Sequence, residues 1–192
     1  APSANGAVLN ASGYVVARRL ATVSSKVTGR VAEVLFEEGA EVKAGQVLAR
    51  LDRATAQAEY DVAASRLEAA RRNLREIEVR LADAQRTLAR NRSLVERKLV
   101  AQSVLDASDA EVSALGARLA AARADVGVAE AQLGLSRQAL DDLEIRAPFA
   151  GVVISKDAQP GETVSPMSAG GGYTRTGIAT IVDMDSREIE VD

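Results

Sequence analysis

Four cations fall within nine residues at Arg90, Arg92, Arg97 and Lys98, with Leu94 and Val95 among them. That mixture suits docking to an acidic partner around an apolar anchor. The groups that make and break bonds are scarce. The chain of 192 residues has no histidine and no cysteine, which removes most zinc sites, His-based triads, thiolate nucleophiles and the commonest general base. One glycine-rich stretch, SPMSAGGGYTRTGIAT at 165–180, invites a phosphate-loop reading. No GK[ST] follows it and no strand-to-helix context is evident, so it reads as a surface loop. A net charge of −3 and 3 % aromatic residues exclude a polybasic nucleic-acid binder and a base-stacking platform.

The cations sit at the end of a long periodic run. Tyr60, Leu67, Leu74, Leu81, Leu88 and Val95 are spaced by seven, with Ala63, Ala70, Ile77 and Ala84 in the companion positions. A second run repeats the pattern with Leu105, Val112, Leu119, Val126, Leu133 and Leu140, beside Leu115, Ala122, Ala129 and Leu143. Two heptad seams joined by a few residues predict an antiparallel coiled-coil hairpin, each arm about 60 Å long. Residues 53–99 carry eleven Arg and Lys against seven Asp and Glu, and residues 103–144 carry three against eight. The opposite charges either attract within one hairpin or bring copies side by side, basic arm to acidic arm. Ser103 followed by Asp106 predicts a capped start for the second helix.

Two short β-patterns flank the helical region. VTGRVAEVLFEEGAEVKAGQVLARLD at 27–52 alternates apolar residues and places glycines at turns. APFAGVVISKDAQPGETV at 147–164 repeats it. Gly29 aligns with Gly151, Val31 with Val153, Gly39 with Gly161 and Val42 with Val164. Neither half has enough apolar residues to fold alone, so the two are expected to complete each other as a flattened sandwich packed face to face. The closing REIEVD is a strand pattern without an obvious partner, so further sequence is expected, and with it any anchor or signal; no apolar run here is long enough to span a membrane.

A β-half, a long hairpin and a second β-half resemble the periplasmic adaptors, also called membrane fusion proteins, of bacterial efflux pumps and type I secretion systems. The likeness rests on VTGRVAEVLFEEGAEVKAGQVLARLD and on LEIRAPFAGVV with PGETV. It implies an α+β fold: an antiparallel coiled-coil hairpin inserted between two halves of a lipoyl- or biotinyl-like β-sandwich, with partial strands of an adjoining β-barrel. The implied divisions are 1–22, a segment and strand leading from the mostly absent barrel; 23–52, the first lipoyl-like half; 53–144, the hairpin; 145–182, the second half; and 183–192, the start of a barrel strand. Carrier domains of this type present a modified lysine in the turn between halves, where this chain has Arg53 in LDRAT. Arginine cannot form that amide, so a carrier block without its swinging arm is expected, and no cofactor.

The resemblance also implies what the hairpin end does. Adaptors that dock to an outer-membrane duct resemble an Arg, Leu, Ser pattern at the tip. Arg90 and Leu94 match it, and Ala101 stands where serine would be. The candidate partner-binding residues are Arg90, Leu94, Arg97, Lys98 and Ala101. Tyr173 and Arg175 are candidates for a loop lining the channel of a ring. The expected protein is a non-enzymatic adaptor in the periplasm, held at the inner membrane of a Gram-negative bacterium and working as a hexamer. It would join an inner-membrane transporter, ABC favoured over RND on the strength of the 165–180 loop, to an outer-membrane channel of the TolC type. Two methionines and no histidine argue against a metal-delivering adaptor. A coiled-coil interaction protein without a transport role, or a lipoyl or biotinyl carrier relative, remains as the alternative.

Overall fold

The computed structural model describes residues 13–166, 174–175 and 177–191. The chain divides into two compact units, Ala54–Leu140 and the β-unit made by Ala1–Arg53 with Asp141–Asp192.

The β-unit holds two main sheets. One has four strands: β2 (Leu20–Ser24), β10 (Gly177–Val182), β7 (Gly151–Lys156) and β4 (Glu41–Val42), in that order. The other has five: β6 (Glu144–Arg146), β5 (Val47–Leu51), β3 (Gly29–Val34), β8 (Thr163–Val164) and β9 (Thr174–Arg175). The halves do not stack as separate layers, as the face-to-face expectation had it; they exchange their short strands. Val42 of β4 pairs with Gly151 of β7, and Val164 of β8 pairs with Gly29 of β3. The loop bonds repeat the exchange: Gly39 N donates to Val153 O and Gly161 N to Val31 O, both at 2.8 Å.

This symmetry explains the repeat in the sequence. Gly39 and Gly161 hold φ of 81° and 93°, a conformation that costs a residue with a Cβ about 1–2 kcal/mol. The aligned valines Val31, Val153, Val42 and Val164 are all buried, in one core with Leu48, Leu51, Ile178 and Ile181. Because each sheet contains strands of both halves, neither half closes a core alone. A separate two-stranded ribbon pairs β1 (Gly13–Ala17) with β11 (Arg187–Val191) in antiparallel register, so the closing strand does have a partner.

The second unit is a helical hairpin, α1 (Ala54–Glu96) and α2 (Gln102–Asp141). Every heptad position of both runs up to Leu140 is buried or half-buried. Leu143 is the exception: it lies past the end of α2 and packs on the β-core, and its carbonyl accepts from Leu51 N at 2.9 Å. Ser136, buried, fills the last companion position on α2, seven residues after Ala129, its hydroxyl donating to Gln132 O at 3.2 Å. At the other end Asn91 donates to Ser108 at 2.6 Å. These polar seam residues break the apolar pattern, which is why the heptads alone did not show them.

Candidate functional site

The hairpin turn is built by the backbone of the candidate residues. Lys98 has φ of 58°, the only positive φ at a non-glycine among the described residues. Lys98 N donates to Val95 O at 2.8 Å and Leu99 N to Leu94 O at 2.9 Å. This pair of bonds is the Schellman closure, normally made with glycine in place of Lys98. α2 begins at Gln102, so Ala101 and not Ser103 occupies its N-cap; the carbonyl of Ala101 accepts from Val104 N at 3.1 Å. Ser103 lies inside the first turn. The start of α2 therefore lacks the side-chain acceptor that a serine would give.

Around this turn Arg90, Arg97, Lys98 and Ala101 are exposed, and Leu94 is half-buried. Among the described residues Arg97 and Lys98 have no ion-pair partner; Arg90 contacts Thr87 at 3.5 Å. Two residues that sequence reasoning passed over join them: Leu99 is 66 % exposed and Val104 42 %. Leu99's only signal was its place, an apolar residue inside the predicted turn, whereas Val104 lies in the first turn of the second helix. The hairpin end is a cationic rim around a small apolar patch.

Of the two channel-loop candidates, Tyr173 lies outside the described residues. Arg175 is placed in β9, in register with Val164 of β8. The end of the supposed loop is not loop: Gly177–Thr180 belong to β10.

Arg53, at the turn where a carrier would place its lysine, is held by charge. Its Nη1 lies 3.5 Å from Glu144 Oε1. Glu144 also meets Arg50 at 3.6 Å and pairs with Arg146. Arg50 reaches Glu33 at 2.6 Å, and that hydrogen bond, with the Coulombic attraction of the same carboxylate, raises its pKa further. Glu33, Arg50 and Glu144 stand opposite one another on β3, β5 and β6. Cross-strand pairs of opposite charge stabilise a sheet modestly, and this ladder ties the first half to the second.

Residues 19–171 match the family model described as "RND MFP, barrel-sandwich hybrid domain". The chain belongs to the membrane fusion protein family. It is 36 % identical over 157 residues to multidrug resistance protein MdtA of Escherichia coli O17:K52:H18, covering 82 % of this chain and 34 % of that protein. The chain thus spans about a third of the length of the curated relatives it matches. Its fold resembles MacA from Actinobacillus actinomycetemcomitans, with a TM-score of 0.80 and 21 % identity over 93 % of this chain and 54 % of that one. It also resembles the periplasmic adaptor protein EmrA, with a TM-score of 0.54 and 17 % identity over 92 % and 76 %. At these identities both likenesses concern the fold, and they agree with the expected α+β architecture of a hairpin inserted in a barrel-sandwich hybrid.

Proposed function

We propose that this chain is the central part of a periplasmic adaptor, a non-catalytic subunit that links an inner-membrane transporter to an outer-membrane channel of the TolC type in an efflux or export complex. The observation that carries the reading is the hairpin end. Two helices of 43 and 40 residues, about 60 Å long, carry at one end a turn with exposed Leu99 and with cations that have no ion-pair partner among the described residues. A coiled coil needs neither feature for its own stability. Family membership supports the reading, as does the drug-resistance name of the relatives. The tip would dock through Arg90, Leu94, Arg97 and Lys98 around Leu99, with Ala101 at the helix start. Copies would assemble as a hexamer, with Tyr173 and Arg175 toward its channel, and sequence outside this chain would anchor it at the inner membrane of a Gram-negative cell.

The loop at 165–180 argued for an ABC transporter, whereas the matching family's description names RND. The description rests on residues 19–171 and the loop on a short segment, so the RND type is the first partner to test. The carrier alternative is disfavoured by the Arg53–Glu144 pair, which occupies the place of a modified lysine.

The test is a photo-crosslinking residue at Leu99 of the full-length protein in cells. A crosslink to an outer-membrane protein supports docking. A crosslink only to another copy, or none with the protein well expressed, would move the tip to a different role.

A further inference from the structure

The chain leaves the β-unit after Arg53 and returns to it at Asp141. The last register pair of β5 and β6 is Arg50 with Glu144, and one further bond, Leu51 N to Leu143 O at 2.9 Å, follows before the two strands part. At that fork one carboxylate serves three guanidiniums. Glu144 lies 3.5 Å from Arg53 and 3.6 Å from Arg50, and it pairs with Arg146. Among the described residues Arg53 and Arg146 have no second carboxylate, while Arg50 has Glu33. The Glu144 side chain is 17 % exposed, against 38–53 % for the three arginines.

Apolar packing does little at this end of α1. Its buried residues are Ala63 and Leu67; of residues 54–59 only Ala56 is half-buried, and the rest are exposed. The hydrophobic seam therefore takes hold about two turns beyond the fork, at half-buried Tyr60. The fork itself is held by the β5–β6 ladder and by charge.

We infer that Glu144 is a positioning residue for the arm: its charge holds the root of the hairpin closed against the mutual repulsion of Arg50, Arg53 and Arg146. Neutralising it leaves three cations with Glu33 alone, and like charges at such spacing repel. The two chain ends then draw apart, and the paired helices lose their common start. The closure stands apart from the adaptor reading; its effect on docking rests on that reading.

Amide hydrogen exchange of the full-length protein reads the root directly. Glu144→Gln keeps the side-chain shape and removes the charge. Peptides spanning 49–58 and 139–146 should then exchange about tenfold faster, the scale of two exposed ion pairs lost together. Peptides from the distal arms and from β10 should keep the parent rates. Raising salt from about 0.1 M to about 1 M shortens the screening length from about 10 Å to about 3 Å. It should remove most of the excess, because the fault is repulsion. Adding Arg53→Gln to Glu144→Gln should also reduce it, and Glu144→Asp, which keeps the charge, should stay close to the parent. Parent-like exchange in Glu144→Gln would overturn the inference. So would an excess that neither salt nor Arg53→Gln reduces, the mark of an ordinary lost hydrogen bond. Faster exchange throughout the β-unit would overturn it too, as general destabilisation. In cells, Glu144→Gln should weaken the Leu99 crosslink to an outer-membrane protein although no tip residue has changed. An undiminished crosslink with a loosened root would overturn the positioning role. If the parent itself gives no such crosslink, the adaptor reading is lost, and the exchange rates still decide whether Glu144 closes the root.

Discussion

The β-unit and the hairpin solve the same problem in opposite ways. In the β-unit, Leu48, Leu51, Ile178, Ile181, Val31, Val153 and Val164 are fully buried, and two segments far apart in sequence supply every sheet. In the hairpin most seam residues are only half-buried, and just Ala63, Leu67, Leu115, Ala122, Ser136 and Leu140 are closed off. One unit concentrates its apolar burial; the other spreads a thin seam over six heptads per arm. A thin seam leaves flanks and an end free for partners, which a compact sandwich does not.

If that contrast holds, equal truncations should have unequal effects. Ile181→Ala removes a side chain with no exposure from β10, one residue before its end, and should cost about 2–5 kcal/mol in urea denaturation followed by circular dichroism. Leu81→Ala, at a half-buried seam position, should cost roughly half of that, since less apolar area leaves water in the native state. Equal losses would mean that the hairpin is buttressed far better than its exposure shows. A harsher change tests the register. Leu81→Asp and Leu119→Asp each put an unpaired charge into the seam, costing on the order of 2 kcal/mol or more, and should lower the helical signal. Helicity surviving both substitutions would refute the heptad assignment.

The pseudo-symmetry makes a finer comparison within the β-unit. Gly39→Ala and Gly161→Ala face the same backbone requirement, a positive φ with open space around the missing Cβ. Each should cost about 1 kcal/mol, and the two by similar amounts. Gly151→Ala should behave differently from both. Its Cβ would lie 2.3 Å from the carbonyl oxygen of Val182, which must shift, disturbing the β7–β10 pairing. A cost no larger than that of Gly39→Ala would show that the neighbouring strands yield easily.

Much of this was readable in the chain because it repeats. Val31 and Val153, or Leu81 and Leu119, are legible by periodicity alone, and the glycine spacing marks both turns. The exchange of β4 and β8 between sheets was not legible, because a two-residue strand carries no register of its own; pairing is settled by which partner offers the free edge. Asn91, Ser108 and Ser136 were missed because a polar residue in a seam looks like a flank. Ser103 misled because a serine near a helix start is a strong cap signal, while the start itself was fixed by the Schellman turn five residues earlier. The candidate site was half legible: its charges show in the sequence, but Leu99 and Val104 needed the structure to show them exposed.

The smallest effects concern that turn, and they separate stability from docking. Lys98 holds a conformation that glycine adopts without strain, so Lys98→Gly should stabilise the hairpin by about 0.5–1 kcal/mol. Ala101→Ser supplies the missing N-cap acceptor and should add about 1 kcal/mol. Thermal melts of the purified protein would measure both. The two changes part company in cells. Lys98→Gly removes an unpaired cation from the rim, so a more stable hairpin should crosslink less through Leu99. Ala101→Ser leaves the rim intact, so it should crosslink at least as well as the parent. If Lys98→Gly stabilises the hairpin and docking is unimpaired, the strained lysine serves no partner, and the cationic rim must act through Arg90, Arg92 and Arg97 alone.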